Sequence, residues 1–278
     1  MLRLPRWVLP LALAAAFPAV ATPFASPETN VIGKHSLALR IEVYAFLGLH
    51  VLTNLTTIYA SDGRYRITMD ITTRGIASVF IDLNSHSEVE GRLVGDVPFP
   101  EAYRSDVVRN GVDRRYRIDY TLAGPVASEW APPARRWKSA FPSAKLRGRV
   151  DQLTAYFIVE RQLAEHGTCN VIVPVFDGHS GYNLHFEDAG PKHAVTAGPG
   201  GSAVPLHVCT VTRDDIPGLE GNSDPSEGTY QKGRISYAPL GPKGQMVPHR
   251  IEYDTEFGSV TGYLDRLSSP DGTLHFAE

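Results

Sequence analysis

The residues with the best claim to covalent chemistry are Gly178-His179-Ser180-Gly181-Tyr182. A serine set between glycines resembles a nucleophile elbow, where a strained strand-to-helix turn presents the hydroxyl to a neighbouring base. That motif needs glycine where Tyr182 stands, and the flanking residues alternate as two strands of a hairpin do. Ser180 therefore reads as a turn residue, and no catalytic residue is assigned. Ten histidines raise the question of metal, yet no H-E-x-x-H pair and no CxxC occurs. His179, His185, His193 and His207 are close enough in sequence that the fold could gather them; each one alone reads as a surface or satisfied-core residue. The glycine-rich stretch 198–202 lacks the Lys-Ser/Thr pair that cradles phosphate. The acidic stretch from Asp224 to Glu227 is broken by Pro225 and lacks the calcium-loop pattern. No metal and no cofactor is expected.

The two cysteines, Cys169 and Cys209, carry chemistry of another kind. What they do depends on compartment, and the N-terminus speaks to that. Arg3 and Arg6 precede an apolar run from Trp7 to Ala16, and Ala19-Val20-Ala21 supplies the small-x-small pattern that signal peptidase cuts behind. The run is shorter than the ~20 apolar residues that a stable membrane anchor needs. Pro5, Pro10 and Pro18 argue against a buried core helix. The expectation is a cleaved signal over residues 1–21, a mature domain over 22–278 and a periplasmic location. In an oxidising compartment a lone cysteine pair is expected to bond. Two buried free thiols are the alternative.

Composition narrows the partners. Losing residues 1–21, which hold two Arg and no acid, takes the formal charge from −3 to −5. Weak acidity argues against nucleic acid, whose binding draws on clustered cations. No segment after the signal reaches membrane-spanning length.

The elements that must position these residues are mainly strands. Leu37, Leu39, Ile41 and Val43 occupy alternate positions, as do Tyr65, Ile67, Met69 and Ile71, then Tyr116, Ile118 and Tyr120. Ser61-Asp62-Gly63 is a hairpin turn between a strand at 51–60 and the strand that begins at Tyr65. One buried and one wet face per strand is the pattern of an antiparallel sheet. Residues 151–165 break the rhythm: Asp151 is an N-cap, Leu153, Tyr156, Phe157, Glu160 and Leu163 mark helical spacing, and His166-Gly167 ends the helix. Before it, the Pro- and Arg-rich stretch 125–149, with Trp130 and Trp137, reads as a linker between two strand sets. Strands resume with Cys169, Val171, Val173 and Val175 on one face, then Tyr182, Leu184 and Phe186 after the Asp177-Gly178 turn. Residues 187–202 are expected to be a loop. Val204 to Thr212 carries Cys209, and after a polar loop the last strands cover 234–238, 247–255, 259–266 and 273–276.

The helix and the strands after it carry a resemblance. Val150-Asp151-Gln152-Leu153-Thr154-Ala155, Cys169, Val175-Phe176-Asp177-Gly178 with Tyr182-Asn183-Leu184, Leu206-His207-Val208-Cys209, Ile216-Pro217-Gly218, Pro248-His249-Arg250-Ile251 and Phe257-Gly258 look like domain-of-unknown-function family 3108. The family consists of exported bacterial proteins distantly similar to lipoprotein-localisation carriers. The resemblance implies a large curved antiparallel sheet, an incomplete barrel or β-spiral packed on one or two helices. It implies a concave apolar face and brings no catalytic residues. The function expected is a non-enzymatic envelope-associated binding or chaperone-like protein for a lipid, lipoprotein or other apolar ligand. The alternatives are an interaction protein of the envelope with a filled core, touching an envelope protein through its loops, and an envelope hydrolase.

Overall fold

The computed structural model describes residues 35–45, 48–131, 135–138, 141, 143–196, 203–219, 232–255 and 258–276, all within the unit Ile32–Glu278. The expected signal over 1–21 lies outside them. Eight strands precede the long helix: β1 (Ser36–Ala45), β2 (Leu49–Ser61), β3 (Arg64–Thr73), β4 (Leu83–Val94), β5 (Val97–Arg109), β6 (Val112–Thr121), β7 (Gly124–Ala131) and β8 (Arg135–Lys138). A single turn, α1 (Ala77–Phe80), joins β3 to β4, and α2 (Gln152–His166) follows β8. Then come β9 (Val171–Phe176), β10 (Gly181–Thr196), β11 (Ala203–Asp215), β12 (Lys232–Pro239), β13 (Met246–Thr255), β14 (Gly258–Ser269) and β15 (Gly272–His275).

All of these strands belong to one antiparallel sheet, ordered β8-β7-β6-β5-β4-β3-β2-β1-β14-β13-β12-β11-β10-β9, with β15 on the end of β14. Most neighbours are hairpins, so the register follows from turn chemistry. Asp62 and Gly63 both have positive φ, 54° and 70°, which sets Ser61 opposite Arg64 in a tight turn whose twist matches the strands. The β1–β14 pairing, Ile41 opposite Leu264, fuses the N-terminal and C-terminal strand sets. The exposed edge of β9 is capped by the chain entering α2: Val150 N–H donates to Pro174 O at 3.0 Å and Phe176 N–H to Val150 O at 2.9 Å.

The sheet curls around α2. Leu153 and Phe157 pack with Leu39, Ile58, Tyr65, Ile67 and Ile118 of the N-terminal strands. Ala155, Val159 and Leu163 pack with Val173, Leu184, Val211 and Ile235 of the C-terminal strands. A helix apolar on opposite sides is an interior helix. The expected alternation holds in β1 and β3, where Leu37, Leu39, Ile41, Tyr65 and Ile67 are buried. The fold is therefore mainly β, as the alternation implied, and barrel-like, as the family resemblance implied.

Two segments differ from expectation. Residues 125–149 are not a plain linker: β7 pairs with β6, and β8 pairs with β7. Pro125 occupies the start of β7 opposite Tyr120, a place where a strand tolerates proline. Residues 187–196 are not loop either, because β10 continues against β11 to Thr196. The signals at Gly190 and Pro191 are absorbed by register shifts between Asp188 and Pro191 and between Lys192 and Ala194. Residues 197–202 lie outside the described residues.

A buried polar chain holds the start of α2. Asp151, fully buried, accepts from Thr154 N–H and Thr154 Oγ1, each at 2.8 Å, and from the Tyr120 hydroxyl at 3.1 Å. The Tyr65 hydroxyl and Thr154 Oγ1 are 2.9 Å apart, so β3, β6 and the helix share one network. Burial raises the Asp151 carboxyl above the usual range, against the pull of these donors. Asp151→Ala removes the N-cap and orphans the Tyr120 hydroxyl and the Thr154 N–H. The expected cost is about 2 kcal/mol in urea unfolding. A change near zero would mean that the network does not anchor the helix.

Candidate functional site

α2 does not fill the curve of the sheet. A cavity of about 300 Å³ lies between its Gln152, Leu153, Tyr156, Phe157 and Glu160 and strands β1, β2, β3, β12 and β13. The strand register orders its wall. Asn54 pairs with Ile71, Thr56 with Met69 and Ile58 with Ile67. The first two pairs are half-buried and the last is buried, so the cavity deepens along β2 and β3 from Asn54 towards Ile58. Ile235 and Tyr237 of β12, with Pro248, Ile251 and Tyr253 of β13, form the opposite wall. The Tyr156 and Tyr253 hydroxyls bond each other at 2.7 Å, which joins the helix to that wall.

One group does not belong to an apolar lining. Glu160 is 7 % exposed, and its Oε2 has no hydrogen-bond partner. Among the described residues, no Lys, Arg, His or Asp lines the cavity with it. Burial without a compensating charge pushes its carboxyl up to about 8. The Tyr237 phenol is held well above its usual value, by burial first and the Glu160 carboxyl second. Glu160 thus faces the cavity as a neutral acid at neutral pH. In sequence it is one of the residues that mark the helical spacing; its charge gives no sign that this face turns inward.

A second hollow lies outside the concave face, between Glu42, Tyr44, His249, Tyr263 and Asp265. Its buried carboxylate is already satisfied. Glu42 accepts from Thr53 Oγ1 at 2.6 Å and from Arg40 Nε, and its Oε2 lies 2.7 Å from His50 Nε2. Burial opposes ionisation there, but these bonds outweigh it and hold the carboxyl below its ordinary value.

The residues around Ser180 resolve into a turn. Asp177 Oδ1 accepts from the backbone N–H groups of His179 and Ser180 at 2.8 and 2.7 Å, and Ser180 Oγ donates to Asp177 Oδ2 at 3.0 Å. Arg213 Nη2 donates to Ser180 Oγ at 3.2 Å. The His179 ring packs edge-on against Tyr116, with centroids 5.6 Å apart. The hydroxyl is thus directed at a carboxylate that closes the hairpin. The other histidines point to separate acids: His185 Nε2 lies 3.7 Å from Asp214 Oδ2, and His207 Nε2 lies 2.9 Å from Asp188 Oδ2. The His193 side chain and the acidic stretch 224–227 lie outside the described residues.

Cys169 and Cys209 form a disulfide with Cα atoms 6.1 Å apart. Cys169 is not on a strand, although the alternation with Val171, Val173 and Val175 placed it on one. Cys169 precedes β9, Cys209 is on β11, and β10 runs between those strands. The bond crosses the strand that separates them. His207 lies within 4.8 Å of both sulfurs, a donor set of zinc-site type, but the disulfide takes up both thiols.

No helix among the described residues is long and apolar enough to cross a membrane. A family model described as "Protein of unknown function (DUF3108)" matches residues 40–265. In structure, the chain is similar to a β-barrel-like protein of domain of unknown function DUF1849 from Brucella abortus. The TM-score is 0.53 at 11% identity, over 84% of this chain and 97% of that one. At that identity the likeness is one of fold. No curated protein matches the sequence.

Proposed function

This chain belongs to the DUF3108 family, and from that premise we propose that it is a non-enzymatic binding protein of the periplasm that shelters the acyl chain of a lipid or lipoprotein. The observation that carries the reading is the cavity between α2 and the sheet. A concave apolar space with a few polar groups is the usual form of a small-ligand site, and about 300 Å³ lies at the low end of such sites. That size suits one chain rather than a diacyl lipid's full apolar part. The signal-like N-terminus supports export, and a disulfide supports an oxidising compartment. The rival reading, an envelope interaction protein with a filled core, is disfavoured by the same cavity.

Native mass spectrometry of protein purified from periplasm, without detergent, tests the proposal. Copurifying acyl-chain lipid is the expected result. Met69, half-buried on the cavity wall, gives the control: Met69→Trp should fill the space and weaken binding of a fluorescent acyl probe by roughly tenfold or more, while melting stays cooperative. Absence of bound lipid together with no saturable probe binding by the wild type sinks the lipid reading and favours the filled-core one.

A further inference from the structure

We propose that Glu160 is the head-group hook of this cavity, a hydrogen-bond donor for an acyl-chain ligand whose polar end is a neutral acceptor such as an ester carbonyl or hydroxyl. The inference rests on the reading of the cavity as a ligand site and adds the chemistry of what enters it.

A buried carboxyl with an unpartnered oxygen costs stability, because desolvation is not repaid by any hydrogen bond at that atom. Leucine at position 160 would pack as its neighbours Phe157 and Leu163 do. The chain instead sets on the inward face of α2 the one side chain, among the described residues of the lining, that can ionise at moderate pH. The neighbouring polar groups do not explain it. Tyr156 and Tyr253 bond each other, and Asn54, Thr56 and Gln152 are half-buried. An unmet donor or acceptor deep in an apolar space is the arrangement that a ligand's polar end completes.

The sign of the partner follows from the protonation state. Burial keeps Glu160 neutral at neutral pH, up to about 8. A neutral carboxyl carries an O–H that donates to a carbonyl or hydroxyl oxygen. A free fatty carboxylate would have to shed its hydration and enter a cavity whose described lining residues include no cation. An alkylammonium would need Glu160 ionised, and its competition with the neutral ligands is the test. The titratable groups facing Glu160 across the cavity are the phenols of Tyr237 on β12, Tyr253 on β13 and Tyr156 on α2. The Tyr237 phenol is itself held well above its usual range, while the Glu160 carboxyl is pushed up to about 8.

The experiment uses the mature protein and displacement of a fluorescent acyl probe by four twelve-carbon competitors: monolauroylglycerol, dodecylamine, laurate and dodecane. Monolauroylglycerol should compete best with wild type at pH 6.5. Glu160→Gln keeps a donor and should bind it within about threefold, whereas Glu160→Leu should lose about tenfold for monolauroylglycerol and nothing for dodecane. Raising the pH to 9.5 should weaken monolauroylglycerol binding to wild type and leave Glu160→Gln unchanged. Melting curves establish that each variant is folded. Equal binding of monolauroylglycerol by Glu160→Leu and wild type overturns the assignment. So does preference for dodecylamine that Glu160→Gln abolishes, since Glu160 would then be a counter-ion. Failure of every competitor, dodecane included, overturns the cavity reading as well, so the two failures are distinct.

Discussion

Replacing Cys169 and Cys209 together by alanine is expected to destabilise the oxidised protein by about 4 kcal/mol, the chain-entropy value for a loop of this length. Their sequence separation is 40 residues. For a domain of this size the loss corresponds to a melting temperature lower by roughly 10 °C. The placement of the bond adds a structural reason. β9 is the last strand of the sheet and pairs over only Val171–Phe176 with β10. The disulfide ties the chain just before it to β11, one strand further in, so β9 and the end of α2 cannot peel away together. Both sulfurs are fully buried, and their removal also leaves a small void. Thermal melts of wild type with and without reductant, beside the double variant, measure this. Reduced wild type and the variant should melt together, below oxidised wild type. Identical melts in all three conditions would show that the bond contributes nothing to stability.

Glu160→Gln should have the opposite effect. At pH 7 the variant is expected to be more stable than wild type by about 3 kcal/mol, and the difference should vanish near pH 4. In the unfolded chain a glutamate releases its proton near pH 4.3; in the folded protein burial delays release to about pH 8. Between those values the unfolded state is ionised and the folded state still holds its proton. Wild-type stability from this group is therefore full below the unfolded value, falls as pH rises, and reaches its minimum above the folded value. Each pH unit of the mismatch is worth about 1.36 kcal/mol. Urea unfolding of both proteins from pH 4 to 8 gives the difference directly, and the titration of other groups cancels in it. A gap that does not change with pH would mean that Glu160 is ionised in the fold. A stabilising replacement on the cavity wall is what a residue retained for binding predicts, since function and stability pull such a side chain in opposite directions.

The strand pairs β4 and β5 show where local pattern falls short. Neither stands out in sequence, because several of their inward positions are serines, with Val89 and Tyr103 the apolar exceptions. Ser85, Ser87 and Ser105 are buried, and Ser87 and Ser105 bond each other at 2.9 Å while the Tyr103 hydroxyl donates to Ser87. Alternation between serine and other polar residues looks like loop until the partner strand supplies the hydrogen bonds. The same limit applies to the loop expected at 187–202, where a glycine and a proline mark register shifts in β10 rather than its end.

What the sequence by itself determined is what neighbours within one strand or one helical turn decide. The inward faces of β1 and β3, the hairpin at Asp62-Gly63, and the helix from its Asp151 cap to Gly167 in the left-handed conformation all follow from period, cap and turn chemistry. The mainly β content follows from the same alternation, whereas the bonded cysteine pair followed from two cysteines behind a signal-like N-terminus, and the barrel-like curl from the family resemblance. Only the tertiary structure decided that α2 lies inside the curl, that β1 meets β14, and that the helix stops short of filling the space beside β2 and β3. A cavity is a mismatch between surfaces from distant parts of the chain, so no single segment encodes it. Glu160 marks the difference. The helical spacing put it on one stripe with Leu153 and Phe157, but its meaning came from the strands brought across from it.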